Sequence, residues 1–151
     1  MEIDNHAQAI SNSEYSLQNS SKEDYNYIFS QLESFNQEFV PFTQNPPRIE
    51  KNYVIKHKGN TVAGIYADIY HWKILYICIL FVEESHRHKK LGSILLCKVE
   101  EEAKKLGSTL SHLETYDFQS KDFYLKQGYD VFGVLEDCPP GHKRFFMRKN
   151  L

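Results

Sequence analysis

The spacing of apolar positions changes several times along the chain, and each change predicts an element. Residues 1–14, MEIDNHAQAISNSE, are polar with scattered apolar positions and predict a mobile end. YSLQN (15–19) is compatible with a short strand. Ser20 and Glu23 fit the S-x-x-E capping box, in which the two side chains satisfy orphan N–H groups at a helix start. Tyr25, Ile28, Phe29, Leu32, Phe35 and Phe39 then recur at steps of three or four, one face of an amphipathic helix. Pro41, Pro46 and Pro47 end it and mark a loop.

The period then shortens to two. Residues 52–58 read as a strand, Gly59-Asn60 as a hairpin turn, and 61–70 as the returning strand, with Ala63, Ile65, Ala67 and Ile69 on one face. ILYICILFV (74–82) is apolar at every position, which predicts a strand buried on both sides in the middle of a sheet. Leu91, Leu95, Val99, Ala103 and Leu106 line a second helix, which Lys104, Lys105 and Gly107 close. Residues 108–115 form the next strand, parallel to 74–82 because a helix joins the two. A short helix at 120–127 stops at Gly128, and strands at 129–135 and 142–149 flank Pro139-Pro140-Gly141. The order predicts an α/β (α+β) fold: a mixed, twisted sheet of six to seven strands, with helices on both faces, in one domain over 15–151.

Composition narrows the class. A chain of 151 residues with 41% hydrophobic and 25% charged positions has enough apolar material for one full core. A net charge of −2 argues against a dedicated nucleic-acid binder. Cys78, Cys97 and Cys138 are too far apart for a CxxC or zinc pattern; Cys78 and Cys97 lie in apolar runs and read as buried free thiols of a reducing compartment. With no signal-like leader and no apolar run of about 18 residues, the expectation is a cytoplasmic protein that does not cross a membrane.

The charge is not evenly spread. His86, Arg87, His88, Lys89 and Lys90 lie consecutively between the apolar strand and the second helix. A helix N-terminus already carries about half a positive charge and has four N–H groups without partners. Cations there oppose the dipole unless an anion neutralises both, and Gly92 leaves room for the backbone to approach such an anion. A charge run alone is ordinarily a solvated face; its place in a strand–turn–helix unit points instead to phosphate. Neither GK[ST] nor GxGxxG is present, so a P-loop or Rossmann site is disfavoured.

LFVEESHRHKKLGS (80–93) resembles motif A of the GNAT superfamily of acyl-CoA-dependent N-acetyltransferases, whose R-x-x-G-x-G/A turn holds the coenzyme A diphosphate on backbone amides. Val82, Arg87 and Gly92 match in spacing, Lys90 replaces the first glycine, and Ser93 follows the second. HLETYDFQSKDFYLKQGYDVFG (112–133) resembles motif B, with Phe123, Tyr124, Gly128 and Tyr129 as matches, and PPGHKRFFMRKNL (139–151) resembles the closing hairpin. The resemblance covers about 50–151 and more loosely 15–49. It implies acetyl-CoA as co-substrate, no metal, and a coenzyme site on Leu80, Phe81, Val82, Arg87, His88, Lys89, Lys90, Leu91, Gly92 and Ser93. Asp117 stands where many members carry a coenzyme-touching asparagine. Dimerisation is common in the family, but these residues do not decide it.

Transfer to an amine of pKa about 10.4 requires deprotonation worth roughly 3–5 kcal/mol, a proton donor for the thiolate and a stabilised oxyanion. The resemblance assigns the donor to Tyr124 and the oxyanion to backbone N–H around Leu80–Val82. Glu114, near a strand end where open sheets place ligands, is the candidate base, with Glu83 in reserve. His71, His112 and His142 stand isolated in the sequence and receive no role. The acceptor, a small-molecule or peptide amine, is expected between 35–50, 68–73 and 136–143, where Glu38, Asp68, Glu136 and Asp137 would attract a cation. An acyl-CoA sensor without turnover, favoured by Lys90, and a nucleic-acid module using the basic loop are the rival readings.

Overall fold

A computed structural model describes residues 15–151, and the mobile end expected at 1–14 lies outside them. The chain divides into two compact units, Met1–Pro41 and Phe42–Leu151. In the first, helix α1 (Lys22–Phe39) begins one residue later than expected. Ser21, not Ser20, is the N-cap: its Oγ accepts the Asp24 N–H at 3.1 Å, and Asp24 Oδ2 accepts the Ser21 N–H at 2.8 Å. Two consecutive serines offer two registers of the box, and the one closed by Asp24 forms. Residues 15–20 form no strand.

The second unit is built on a seven-stranded sheet of order β1-β3-β4-β5-β7-β6, with β2 also paired to β3. The strands are β1 (Arg48–Glu50), β2 (Tyr53–His57), β3 (Asn60–Tyr70), β4 (Ile74–Val82), β5 (Leu110–Tyr116), β6 (Asp130–Glu136) and β7 (Lys143–Asn150). Helix α2 (Leu91–Lys105) joins β4 to β5, and α3 (Lys121–Lys126) follows β5. As expected, β4 and β5 are parallel and the remaining neighbours antiparallel.

One face of the sheet carries the core. Ala63, Ile65, Ala67 and Ile69 of β3 are buried on it, as their alternation predicts, with Leu75 and Ile77 of β4, Leu113 of β5 and Met147 of β7. Leu95, Leu96, Val99 and Ala103 of α2 close over them, beside Tyr124 and Tyr129. A buried polar network ties this layer together. Tyr129 donates to Glu100 Oε1 at 2.9 Å and meets Ser111 Oγ at 2.7 Å, while Lys149 reaches Glu100 Oε2 at 2.7 Å.

The expectation that β4 is buried on both sides is corrected. Cys78, Ile79 and Phe81 are exposed. The core of this unit lies on one face only, so Ile79 and Phe81, which alternate with the core-side Leu80 and Val82, are left uncovered. A bulge, in which Tyr66 pairs with Ile79 and Ala67 with Ile77, makes Cys78 an extra residue on β4. The expected burial of the cysteines is corrected with it, since Cys78 and Cys97 are both exposed residues, although the Cys78 sulfur itself is partly buried. Cys97 lies on the outer side of α2, where its thiol contacts Glu101.

Candidate active site

The bulge at Cys78 coincides with a parting of strands. β4 and β5 are paired only at Leu75–Ser111, Tyr76–His112 and Ile77–Leu113, although β4 runs on to Val82 and β5 to Tyr116. From Cys78 to Val82, β4 therefore keeps one strand neighbour, β3, and its other edge stands open. An extended thioester arm can add to such an edge through backbone hydrogen bonds. Leu80 and Val82 turn to the core side, and Phe81 is exposed on the other.

The basic segment follows at the end of this open edge. Arg87 spends its Nε on the Val82 carbonyl at 3.2 Å, fixing the exit from β4, and Lys89 Nζ reaches the Ser85 carbonyl at 3.3 Å. His88 and Lys90 both hold left-handed backbone, each with φ 62°. Alternating hand in this way turns successive N–H groups to one side, the geometry of an anion nest. Among the described residues, none of the N–H groups of His88, Lys89, Lys90, Leu91, Gly92 and Ser93 meets a backbone or side-chain acceptor. This donor set at the head of α2 fits a diphosphate.

The structure also shows what the departure at position 90 costs. Lys90 is the N-cap of α2 with φ 62° and ψ 12°, a conformation that glycine adopts without penalty and other L-residues adopt at about 1–2 kcal/mol. Lys90→Gly is expected to raise the stability of the free protein by roughly 0.5–1 kcal/mol, because the strain relieved exceeds the entropy that glycine adds to the unfolded chain. A thermal melt without coenzyme checks this, and an unchanged or lower midpoint would show that the left-handed turn is not strained.

Gly92 also leaves space for a ring. A Cβ there would lie 3.4 Å from Cζ of Phe123 and 3.7 Å from Cγ2 of Val82. The ring of Phe123 occupies the side-chain direction of this glycine, so α3 is seated against the start of α2. That contact brings the neighbouring Tyr124 to the same end of the unit. Tyr124 is buried, its ring 5.1 Å from Phe123 and 5.8 Å from Tyr129 in edge-on contacts. Burial pushes its phenol up to about 12, and among the described residues its hydroxyl has no hydrogen-bond partner.

Other expected residues are found engaged. Glu114, at the parted end of β5, is ion-paired to Arg144 of β7. Glu83 faces His86 at 3.6 Å. Asp117 accepts the Lys143 N–H at 3.1 Å and meets His142 Nδ1 at 3.0 Å, so it clamps the mouth of the β6–β7 hairpin. His142, given no role from the sequence, is its partner. Asp68 and Glu136, expected to attract a cation, are already paired with Arg48 and Lys143. Burial alone would raise Asp68, but the bonds from Arg48 and Cys78 hold it below the ordinary carboxylate range.

The face of the sheet away from α2 also gathers residues the sequence left apart. Tyr70 OH lies 2.8 Å from His112 Nε2, and Tyr76 lies against the same imidazole with ring centroids 4.8 Å apart. The only sequence signal was the alternation that puts His112 and Glu114 on one side of β5. Cys78 opens on this face, its thiol donating to Asp68 Oδ2 at 3.3 Å; burial of the sulfur and that carboxylate push the thiol up to about 11.

Comparisons with known proteins agree with this geometry. Residues 14–129 match the model of the Acetyltransferase (GNAT) family. The blasticidin-S acetyltransferase of Streptomyces morookaense is 30% identical over 107 residues, covering 70% of this chain and 78% of that protein. The crystal structure of an acetyltransferase from Bacillus cereus ATCC 14579 superposes with a TM-score of 0.82 at 34% identity, covering 89% of this chain and 96% of that one. An aminoglycoside 6'-N-acetyltransferase complexed with coenzyme A shares the fold, with a TM-score of 0.59 at 20% identity over 87% of this chain and 95% of that one. A family match across the strand–turn–helix unit and the α3 motif, joined to a near full-length structural match, settles the assignment: the chain belongs to the GNAT family and is an N-acetyltransferase of that type.

Proposed function

We propose that the protein moves an acetyl group from acetyl-CoA to a small-molecule primary amine by direct attack in a ternary complex. The observation that carries this reading is the run of unpartnered N–H groups from His88 to Ser93, set at the end of the open β4 edge. The basic turn holds the diphosphate, with Lys89 and Lys90 adding charge, and the edge at Leu80–Val82 holds the arm. When bound, the coenzyme supplies an activated thioester. The backbone N–H groups of the open edge stabilise negative charge on its carbonyl oxygen, and Tyr124 donates to the departing sulfur. Glu114, with Arg144, presents a carboxylate oxygen to the acceptor's nitrogen.

Direct attack is favoured because Cys78, the thiol at the bulge, is a poor nucleophile. With a pKa of about 11 it is almost wholly protonated at neutral pH. The substrates by which two similar proteins are named, blasticidin S and an aminoglycoside, make small cationic antibiotics the first acceptors to test.

Acetyl-CoA at 100 times its dissociation constant is expected to stabilise the protein by about 2.7 kcal/mol. An acetyl thioester lacking the diphosphate should do far less. Thermal melts check both, and equal stabilisation by the phosphate-free thioester would remove the basic turn from coenzyme binding. Thiol release with a panel of blasticidin S, kanamycin, spermidine and free amino acids tests transfer. Coenzyme binding with no release from any amine would favour a sensor, the role that Lys90 suggested.

A further inference from the structure

The acceptor amine needs a base, and Glu114 is already neutralised by Arg144. We propose that His112 takes the acceptor's proton, through Nδ1, with Tyr70 fixing its orientation; this rests on the acetyl transfer proposed above.

Position is the first argument. His112 pairs with Tyr76 across β4–β5, one residue before the last pair that holds these strands together. Its side chain lies on the face away from the core, where alternation places Glu114 about 7 Å further along, in the parted region. The imidazole therefore borders the place where an acceptor would meet the thioester carbonyl.

Availability is the second. Nε2 is engaged with Tyr70 OH at 2.8 Å, whereas among the described residues Nδ1 has no partner. With the ring proton on Nε2, donating to the tyrosine oxygen, the Nδ1 lone pair is left as a proton acceptor. Burial lowers the pKa of His112 from its ordinary value, so the ring is neutral at pH 7. It stays oriented after protonation, because the Nε2–H bond to Tyr70 is kept and Tyr76 offers its ring to the cation.

The surrounding charges agree. Asp68 is paired with Arg48, and Glu114 with Arg144, so neither carboxylate is free to charge the ring. Arg148, which stands opposite His112 on β7, brings no negative charge to the ring. Tyr70 and Tyr76, which meet the imidazole, and Cys78 on the same face are all shifted upward and are uncharged at neutral pH.

A weak base suffices because of when it acts. The amine attacks in its neutral form, its first proton having gone to water. As the N–C bond forms and the C–S bond breaks, the nitrogen becomes positively charged and acidic. His112 accepts that second proton and later returns it to water. The sulfur leaves with its electron pair, steadied by Tyr124, and gains a proton from water. The sum is amine plus thioester to amide plus thiol.

The test is single-turnover acetyl transfer from bound acetyl-CoA to blasticidin S, kanamycin and spermidine across pH 5–9. His112→Gln, which keeps a polar group for Tyr70, is expected to lower the rate roughly 10²–10⁴-fold. The thermal shift given by acetyl-CoA should be preserved. The wild-type profile should fall on the acid side, through an apparent pKa below the ordinary histidine value of about 6.5, and this limb should vanish in the variant. Tyr70→Phe removes the acceptor of the Nε2 proton and should move the limb to lower pH; movement to higher pH would overturn the Nδ1 assignment. Wild-type turnover with an unchanged rate and acid limb in His112→Gln would overturn His112 alone. No transfer by the wild type to any probe, with coenzyme bound, would overturn the transfer and the role of His112 with it.

Discussion

Replacing Tyr124 by phenylalanine is expected to lower the single-turnover rate of acetyl transfer by roughly 10²–10³-fold, or about 2.7–4 kcal/mol of barrier. The ring makes its contacts with Phe123 and Tyr129 through carbon, and the hydroxyl has no partner among the described residues, so α3 should keep its seat and coenzyme affinity should barely change. The size of the effect follows from the acid strength of the phenol. At about 12 it is protonated at every physiological pH, yet it is a weaker acid than a thiol of pKa about 8.5. Full proton transfer to the leaving sulfur would be uphill by about 5 kcal/mol at ~1.36 kcal/mol per unit. The hydroxyl therefore acts as a hydrogen-bond donor to developing negative charge, in a site where burial strengthens that bond. Single-turnover rates are the right measure, because slow product release would mask the loss in kcat. A wild-type rate in Tyr124→Phe would make Tyr124 a packing residue.

Residue pattern carried the architecture well where one periodicity dominated. The buried series on β3, the α2 stripe and the parallel pairing of β4 with β5 all follow from local spacing. It failed where a single residue changed the register. Nothing in ILYICILFV distinguishes Cys78 from its neighbours, yet the bulge there separates a paired half of β4 from an open half. β1 was missed because three residues after Pro47 are too few to show a period. At position 90 the sequence marked the departure from glycine but not the left-handed backbone that makes it costly. His112 was passed over because its partner, Tyr70, is 42 positions away and only the register of β3, β4 and β5 brings them together. The turn proposed to hold phosphate was legible because strand, turn and helix are contiguous there; the face proposed for the acceptor was not, because it is assembled from four strands.

Lys149→Met is expected to destabilise the protein by about 2–3 kcal/mol. Lys149 neutralises Glu100, whose side chain retains 8% exposure, while the lysine itself retains 22%. Removing one partner of a buried pair typically costs about 3–5 kcal/mol, and the partial exposure of this one lets water recover some of that. Glu100 would keep only the Tyr129 hydroxyl as a donor, at 2.9 Å. The consequence extends to catalysis because Tyr129, which ends the α3 turn, is the ring against which Tyr124 rests. Denaturant melts give the stability, and the double variant Lys149→Met/Glu100→Met supplies the control. If the loss comes from an unpaired buried charge, removing Glu100 as well should return stability to within about 1 kcal/mol of wild type. If the double variant is instead as unstable as the sum of the two single variants, the pair contributes packing rather than charge neutralisation, and the electrostatic account of this network is wrong.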